Sequence, residues 1–183
     1  YLLLEKDPAK RVAQVQKVIN SLDKFLNGYS DDGGCDEGPS YWGAAGALLY
    51  EALEHLKNAT NGKFDVFDDP LVQNIGNYFY QVNIKAPYFI NFADADARTG
   101  GNASIVYRYG KAINDPVMWK FGAYLAKLNK WGEGTMGGKI GDQIKNLGLI
   151  DEIRNSEAEE ALVPDFWFPD TEIAGARDQA GST

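Results

Sequence analysis

Thirteen residues, Asp31-Asp32-Gly33-Gly34-Cys35-Asp36-Glu37-Gly38-Pro39-Ser40-Tyr41-Trp42-Gly43, gather four carboxylates, four glycines and two aromatics between two segments of helical spacing. Carboxylates and a phenol can move protons, and phenol or indole rings can lie on the apolar face of a sugar. The glycines reach backbone angles other residues avoid, and Pro39 fixes one more. Such a run can hold Glu37, Tyr41 and Trp42 in place for a ligand. It also reads as a long helix-helix connection with a solvated acidic tip. A second group, Ala93-Asp94-Ala95-Asp96-Ala97-Arg98, follows an apolar stretch. Asp-x-Asp can touch a divalent cation, but a calcium loop needs more ligands at set spacing, so no metal is assigned. Arg98 either pairs with Asp94 or Asp96, or faces a ligand on the same rim as Tyr41. The one histidine, His55, lies about four helical turns from Tyr41, roughly 20 Å at 1.5 Å per residue. That is too far to share chemistry, and it reads as a structural or surface histidine.

These residues need a scaffold. With 183 residues and 44% hydrophobic content, the chain can bury the core of one domain. Its 26 acids against 18 bases give a net charge of −8, which argues against nucleic acid. An acidic glycan would need a local basic patch. A single cysteine forms no intrachain disulfide, and no cofactor is implied. No apolar run of about 20 residues is present, so no membrane insertion is expected. The chain opens without Met inside an apolar run, Tyr1-Leu2-Leu3-Leu4, and is expected to be a fragment beginning in the tail of a helix.

Three Asp-Pro pairs, at Asp7, Asp69 and Asp115, each offer an N-cap followed by proline at the first helical position. Helices are expected from Pro8 towards Gly28, from Pro70 to Val82, and from Pro116 to Trp131, with apolar residues at three- and four-residue spacing. A further helix is expected from Tyr41 to Leu56. Its small residues Gly43 to Ala47 either admit a neighbouring helix or leave room beside Tyr41 and Trp42. Asn58 to Gly62 reads as a turn, Tyr88 to Phe92 as a short extended piece, and Asn102 to Gly110 as a short helix. Glu133 to Gly138 reads as a flexible link. Ile140 to Ile153 reads as one or two short helices broken near Gly148. Phe166 to Arg177 reads as strand, turn, strand.

The segment CDEGPSYWGAAGALLYEAL, together with FDVFDDPLVQNIGNYFYQV and YFINFADADAR, resembles the heparinase II/III-like polysaccharide lyases over roughly Tyr1 to Arg177. The resemblance implies an all-α fold, an incomplete α/α toroid of helical hairpins over residues 1–160. Residues 161–183 would form a short β segment leading towards a missing β-sandwich. It further implies β-elimination from a uronic-acid polysaccharide in a periplasmic or secreted setting. Tyr41 takes the catalytic acid/base position, and Glu37, Trp42, Asp94, Asp96 and Arg98 contact substrate. An Asn or Asn-His pair before the loop and a His-rich strand after the toroid are features of that family, and this sequence contains neither. The chain alone is therefore expected to be inactive or nearly so.

Elimination requires a base for the proton beside the carboxyl group, an acid for the leaving oxygen, and charge to steady the carbanion-like state. A phenol with a reference pKa of about 10 acts as base only beside positive charge or hydrogen-bond donors. Two other readings remain. A glycoside hydrolase on a similar toroid would use Asp36 or Glu37 as acid, with a carboxylate such as Asp94 or Asp96 across the bond. A non-catalytic glycan-binding module would use Tyr41 and Trp42 as stacking platforms. Helix faces left without neighbours favour self-association, expected through Tyr1–Leu4 and Phe166–Phe168.

Overall fold

A computed structural model describes residues 5–131 and 140–178. Within them the fold is mainly helical, with two short antiparallel strand pairs. The expected helix tail at Tyr1–Leu4 and the expected link at Glu133–Gly138 lie outside the described residues.

Helix α1 (Pro8–Asn27), α3 (Pro70–Gln81) and α5 (Pro116–Leu128) all start as the Asp-Pro pairs predict. In each, the aspartate side chain accepts hydrogen bonds from backbone N–H groups of the first turn. These would otherwise be unpaired, and proline loses nothing at a position without an intrahelical bond. Helix α4 (Ala103–Ala112) is capped by the side chain of Asn102.

Helix α2 begins later than its sequence suggests. Tyr41–Gly43 forms one 3-10 turn, and the α-helix runs only from Gly46 to Ala59. Ala45 breaks the path with φ −109° and ψ −88°. Helix α6 (Ile140–Asn155) is continuous, although a break near Gly148 is expected from sequence. A lone glycine weakens a helix without ending it. Gly148 is solvent-exposed, and a Cβ placed there would meet nothing within 4 Å.

Strand β1 (Asn83–Lys85) pairs with β2 (Tyr88–Phe89), and β3 (Asp165–Phe168) pairs with β4 (Ile173–Ala176). The second pair matches the predicted strand-turn-strand. Tyr78 packs edge-on against Phe168 at 5.1 Å, and Ala161 and Phe168 join the same buried cluster as the helices. That core is aromatic. Trp42 stacks on Phe79 and Tyr50 on Tyr109, while Phe79 meets Phe89 and Phe121 at tilted angles.

Helix α1 is the exception. None of its residues is fully buried, and only Leu22 and Leu26 rest against the core. The expected amphipathic helix is present, but its apolar face is only partly covered, with Val12 69% and Phe25 38% exposed.

Candidate functional site

The loop from Asp31 to Gly43 is fastened at both ends. Gly33, at φ +78°, lies so close to α3 that a Cβ there would sit 2.2 Å from the backbone of Asn74. The amide of Asn74 donates to the carbonyl of Asp31 at 3.0 Å. The carboxylate of Asp32 accepts from the N–H of Gly34 at 2.8 Å and from the N–H of Asp170 at 2.9 Å. One side chain thus ties the loop to the C-terminal hairpin.

The other end meets the Asp94–Arg98 segment. Gly38 sits at φ +89°, and a Cβ there would lie 2.4 Å from the Cβ of Ala95. The Ser40 hydroxyl oxygen accepts from the N–H of Asp96 at 3.1 Å. The structure therefore brings together the two segments singled out in the sequence. Glu37, Tyr41, Asp94, Asp96 and Arg98 are all exposed there. Tyr41 is 40% exposed, and its hydroxyl has no hydrogen-bond partner among the described residues.

Trp42 departs from its expected role. It is 1% exposed, its indole N–H donates to the carbonyl of Ile75 at 2.7 Å, and its ring stacks on Phe79 at 4.5 Å. A ring sealed in this way offers no face to a sugar, so Trp42 is a core residue and not a substrate contact. It also explains part of the small-residue run, because a Cβ on Gly46 would lie 2.4 Å from the Trp42 indole nitrogen. That space belongs to the protein's own tryptophan.

Arg98 forms no ion pair with Asp94 or Asp96 among the described residues. Its guanidinium lies over the ring of Tyr88, 5.4 Å from the centroid, and the two residues form a backbone bridge. Tyr88 is 49% exposed while its neighbour Phe89 is fully buried. The rim thus holds a second exposed phenol, with a cation over its ring. In the sequence Tyr88 is hidden within the short extended piece Tyr88 to Phe92. The alternation of one face out and one face in over Tyr88-Phe89 was the available signal.

A second polar group joins α2, α4 and α6. Glu54 accepts from Arg108 and, at 2.6 Å, from the hydroxyl of Tyr50. The Arg108 guanidinium lies over the Tyr50 ring and 3.8 Å from Glu51, which also meets Lys145 at 3.2 Å. Burial alone would raise Glu54, but hydrogen bonds from Arg108 and Tyr50 outweigh it and hold the carboxyl below its ordinary value. Burial and Glu54 together push the Tyr50 hydroxyl well above a normal phenol. Every charge in this group is matched, which suits it to joining helices. No short-range spacing marks these residues in the sequence.

His55 is exposed, with its ring nitrogen bonded within α2 to the carbonyl of Glu51. Cys35 is 3% exposed, and burial pushes its thiol up, away from the reactive thiolate. Among the described residues, no cluster of three or more His, Cys, Asp or Glu side chains is placed to hold a metal ion, and no helix is long and apolar enough to cross a membrane. No protein-family model and no curated protein sequence matches this chain.

Proposed function

We propose that the chain is the glycan-contacting part of a polysaccharide lyase of the heparinase II/III-like kind, built on an α/α toroid. That lyase acts by β-elimination on uronic-acid-containing polysaccharide in a periplasmic or secreted setting, and this chain by itself is inactive or nearly so. One observation carries the reading. The loop of Glu37 and Tyr41 and the segment of Asp94, Asp96 and Arg98 form one rim, joined through Ser40 and Asp96 and through the Gly38–Ala95 approach. Both segments carry the resemblance, and they are 56 positions apart at the Ser40–Asp96 bond.

In this reading the Tyr41 hydroxyl, open to solvent, serves as acid/base at the scissile bond. Arg98 balances the uronate carboxylate, so that charge developing on the adjacent carbon is stabilised. Glu37, Asp94 and Asp96 hydrogen-bond sugar hydroxyls. Tyr88, beneath Arg98, supplies a second phenol for the opposite proton transfer. The partly covered face of α1, with exposed Val12 and Phe25, and the exposed Leu48 of α2 support self-association, which concentration-dependent sedimentation tests.

A second reading, non-catalytic glycan binding, is favoured by the Tyr41 hydroxyl having no partner among the described residues to activate it. Elimination leaves an unsaturated sugar that absorbs in the ultraviolet. Incubation with a uronic-acid polysaccharide therefore decides between them: an absorbance rise in the intact protein supports the lyase. Binding without any absorbance change supports the module, and no binding removes both.

A further inference from the structure

Beyond the Tyr41 rim, a cleft of about 340 Å³ lies between α3 and the turn joining α4 to α5. We propose that it binds a neutral polyhydroxyl ligand of about the size of one sugar ring. Its volume falls at the lower end of small-molecule sites, roughly 300–1,000 Å³. One wall is a face of α3, with Gln73, Asn77 and Tyr80 spaced four and three apart so that their side chains align. The other wall is the turn carrying Asn114 and Asp115, continued by Val117 in the first turn of α5. Asn114 holds φ +57°, and the N–H groups of Asn114 and Asp115 bond back to Lys111 and Gly110, which fixes the turn.

The polar groups select the ligand. Asp115 is largely engaged within the protein: one carboxylate oxygen accepts from the N–H groups of Val117 and Met118, the other from the Tyr80 hydroxyl at 3.2 Å. Its charge repels anions, and no lysine or arginine lines the cleft to offset it. The amides remain. Asn77 lines the cleft, although its side-chain oxygen is itself shut off from solvent, and Gln73 spends its amide nitrogen on a 3.4 Å contact with the carbonyl of Phe67, which leaves its oxygen for a ligand. Side-chain amides offer one donor face and one acceptor face, which is what a hydroxyl group matches. Val117, 43% exposed, gives the mouth an apolar surface for the C–H face of a sugar. The inference does not depend on lyase chemistry.

Titration of the ¹⁵N-labelled chain with glucose, and separately with glucuronate, tests it by NMR. Glucose up to roughly 100 mM fills even a site of Kd about 10 mM. It should shift the side-chain amide signals of Gln73, Asn77 and Asn114. Glucuronate should bind there at least about fivefold more weakly, because of Asp115. Val117→Trp, which narrows the mouth at an exposed position, should abolish the shifts while leaving the rest of the spectrum in place, and Gln73→Ala should weaken them. Tyr41→Phe should leave them unchanged, so this cleft and the rim are told apart. The proposal is overturned if none of these amides moves with glucose, if glucuronate binds equally well, or if Val117→Trp binds as the parent chain does.

Discussion

The hydroxyl oxygen of Ser40 accepts a hydrogen bond from the backbone N–H of Asp96 at 3.1 Å, fastening the acidic loop to a segment 56 positions further on. Two residues earlier, Gly38 makes the contact possible by adopting φ +89° against Ala95. Gly38→Ala should therefore cost about 1–3 kcal/mol, from left-handed strain and from the clash. Gly43→Ala, where a Cβ meets nothing within 4 Å, should be close to neutral. Denaturant midpoints of the two variants check this, and equal midpoints would show that the loop is not held at Gly38.

Asp32 performs the corresponding task at the other end of the loop. Asp32→Ala removes the acceptor for the N–H groups of Gly34 and Asp170. The site is part-exposed, so the global loss should be about 1 kcal/mol. The local effect is the sharper readout: amide exchange across Phe166–Phe168 should accelerate, while the α3 core stays protected. Unchanged exchange in the hairpin would mean that it is held by Phe168 packing alone.

Trp42→Phe should destabilise the chain by about 1–3 kcal/mol, because the carbonyl of Ile75 loses the indole N–H donor inside the core. It should not weaken glycan binding at the rim, and weakened binding with stability unchanged would return Trp42 to the surface role its sequence position suggests. The case marks the limit of what the sequence discloses. The helix starts at Asp7, Asp69 and Asp115 are legible because cap and proline act on their own first turn. The late start of α2 is not, since Trp42 turns inward to reach Ile75 and Phe79 from another helix. The rim was legible as two segments, whereas the Tyr88–Arg98 stacking arises from β-pairing that composition does not mark.

The Glu54–Arg108 pair predicts a pH dependence. The folded carboxyl of Glu54 lies below its unfolded value, so its contribution is fully present above the unfolded pKa of about 4.3. It is lost as pH falls through the lower, folded value. Glu54→Gln should cost roughly 1–3 kcal/mol at neutral pH, since Arg108 loses its closest anion with both side chains largely buried. The difference from the parent chain should shrink on acidification below about pH 4, where the parent's own carboxyl takes up a proton. A constant difference from pH 7 to pH 3 would show that Arg108 and Glu54 are not electrostatically coupled.

Tyr41→Phe is the substitution on which the proposed chemistry depends. It removes one hydroxyl and keeps the ring, and that hydroxyl has no hydrogen-bond partner among the described residues. Stability should therefore change little, and any kinetic effect can be read as chemistry. If Tyr41 is the acid/base, turnover on a uronic-acid polysaccharide should fall by about 100-fold or more in the intact protein, the scale of a lost proton-transfer group. The fall should appear in kcat more than in KM, because a group acting only on the reacting proton contributes little to ground-state binding. Tyr88→Phe is the companion measurement. Tyr88 is the other exposed phenol of the Asp94–Arg98 rim, with the Arg98 guanidinium over its ring. A deep loss for Tyr88→Phe with near-normal turnover for Tyr41→Phe would move the acid/base role from the 3-10 turn to β2. Near-normal turnover in both variants would remove the phenols from the mechanism altogether.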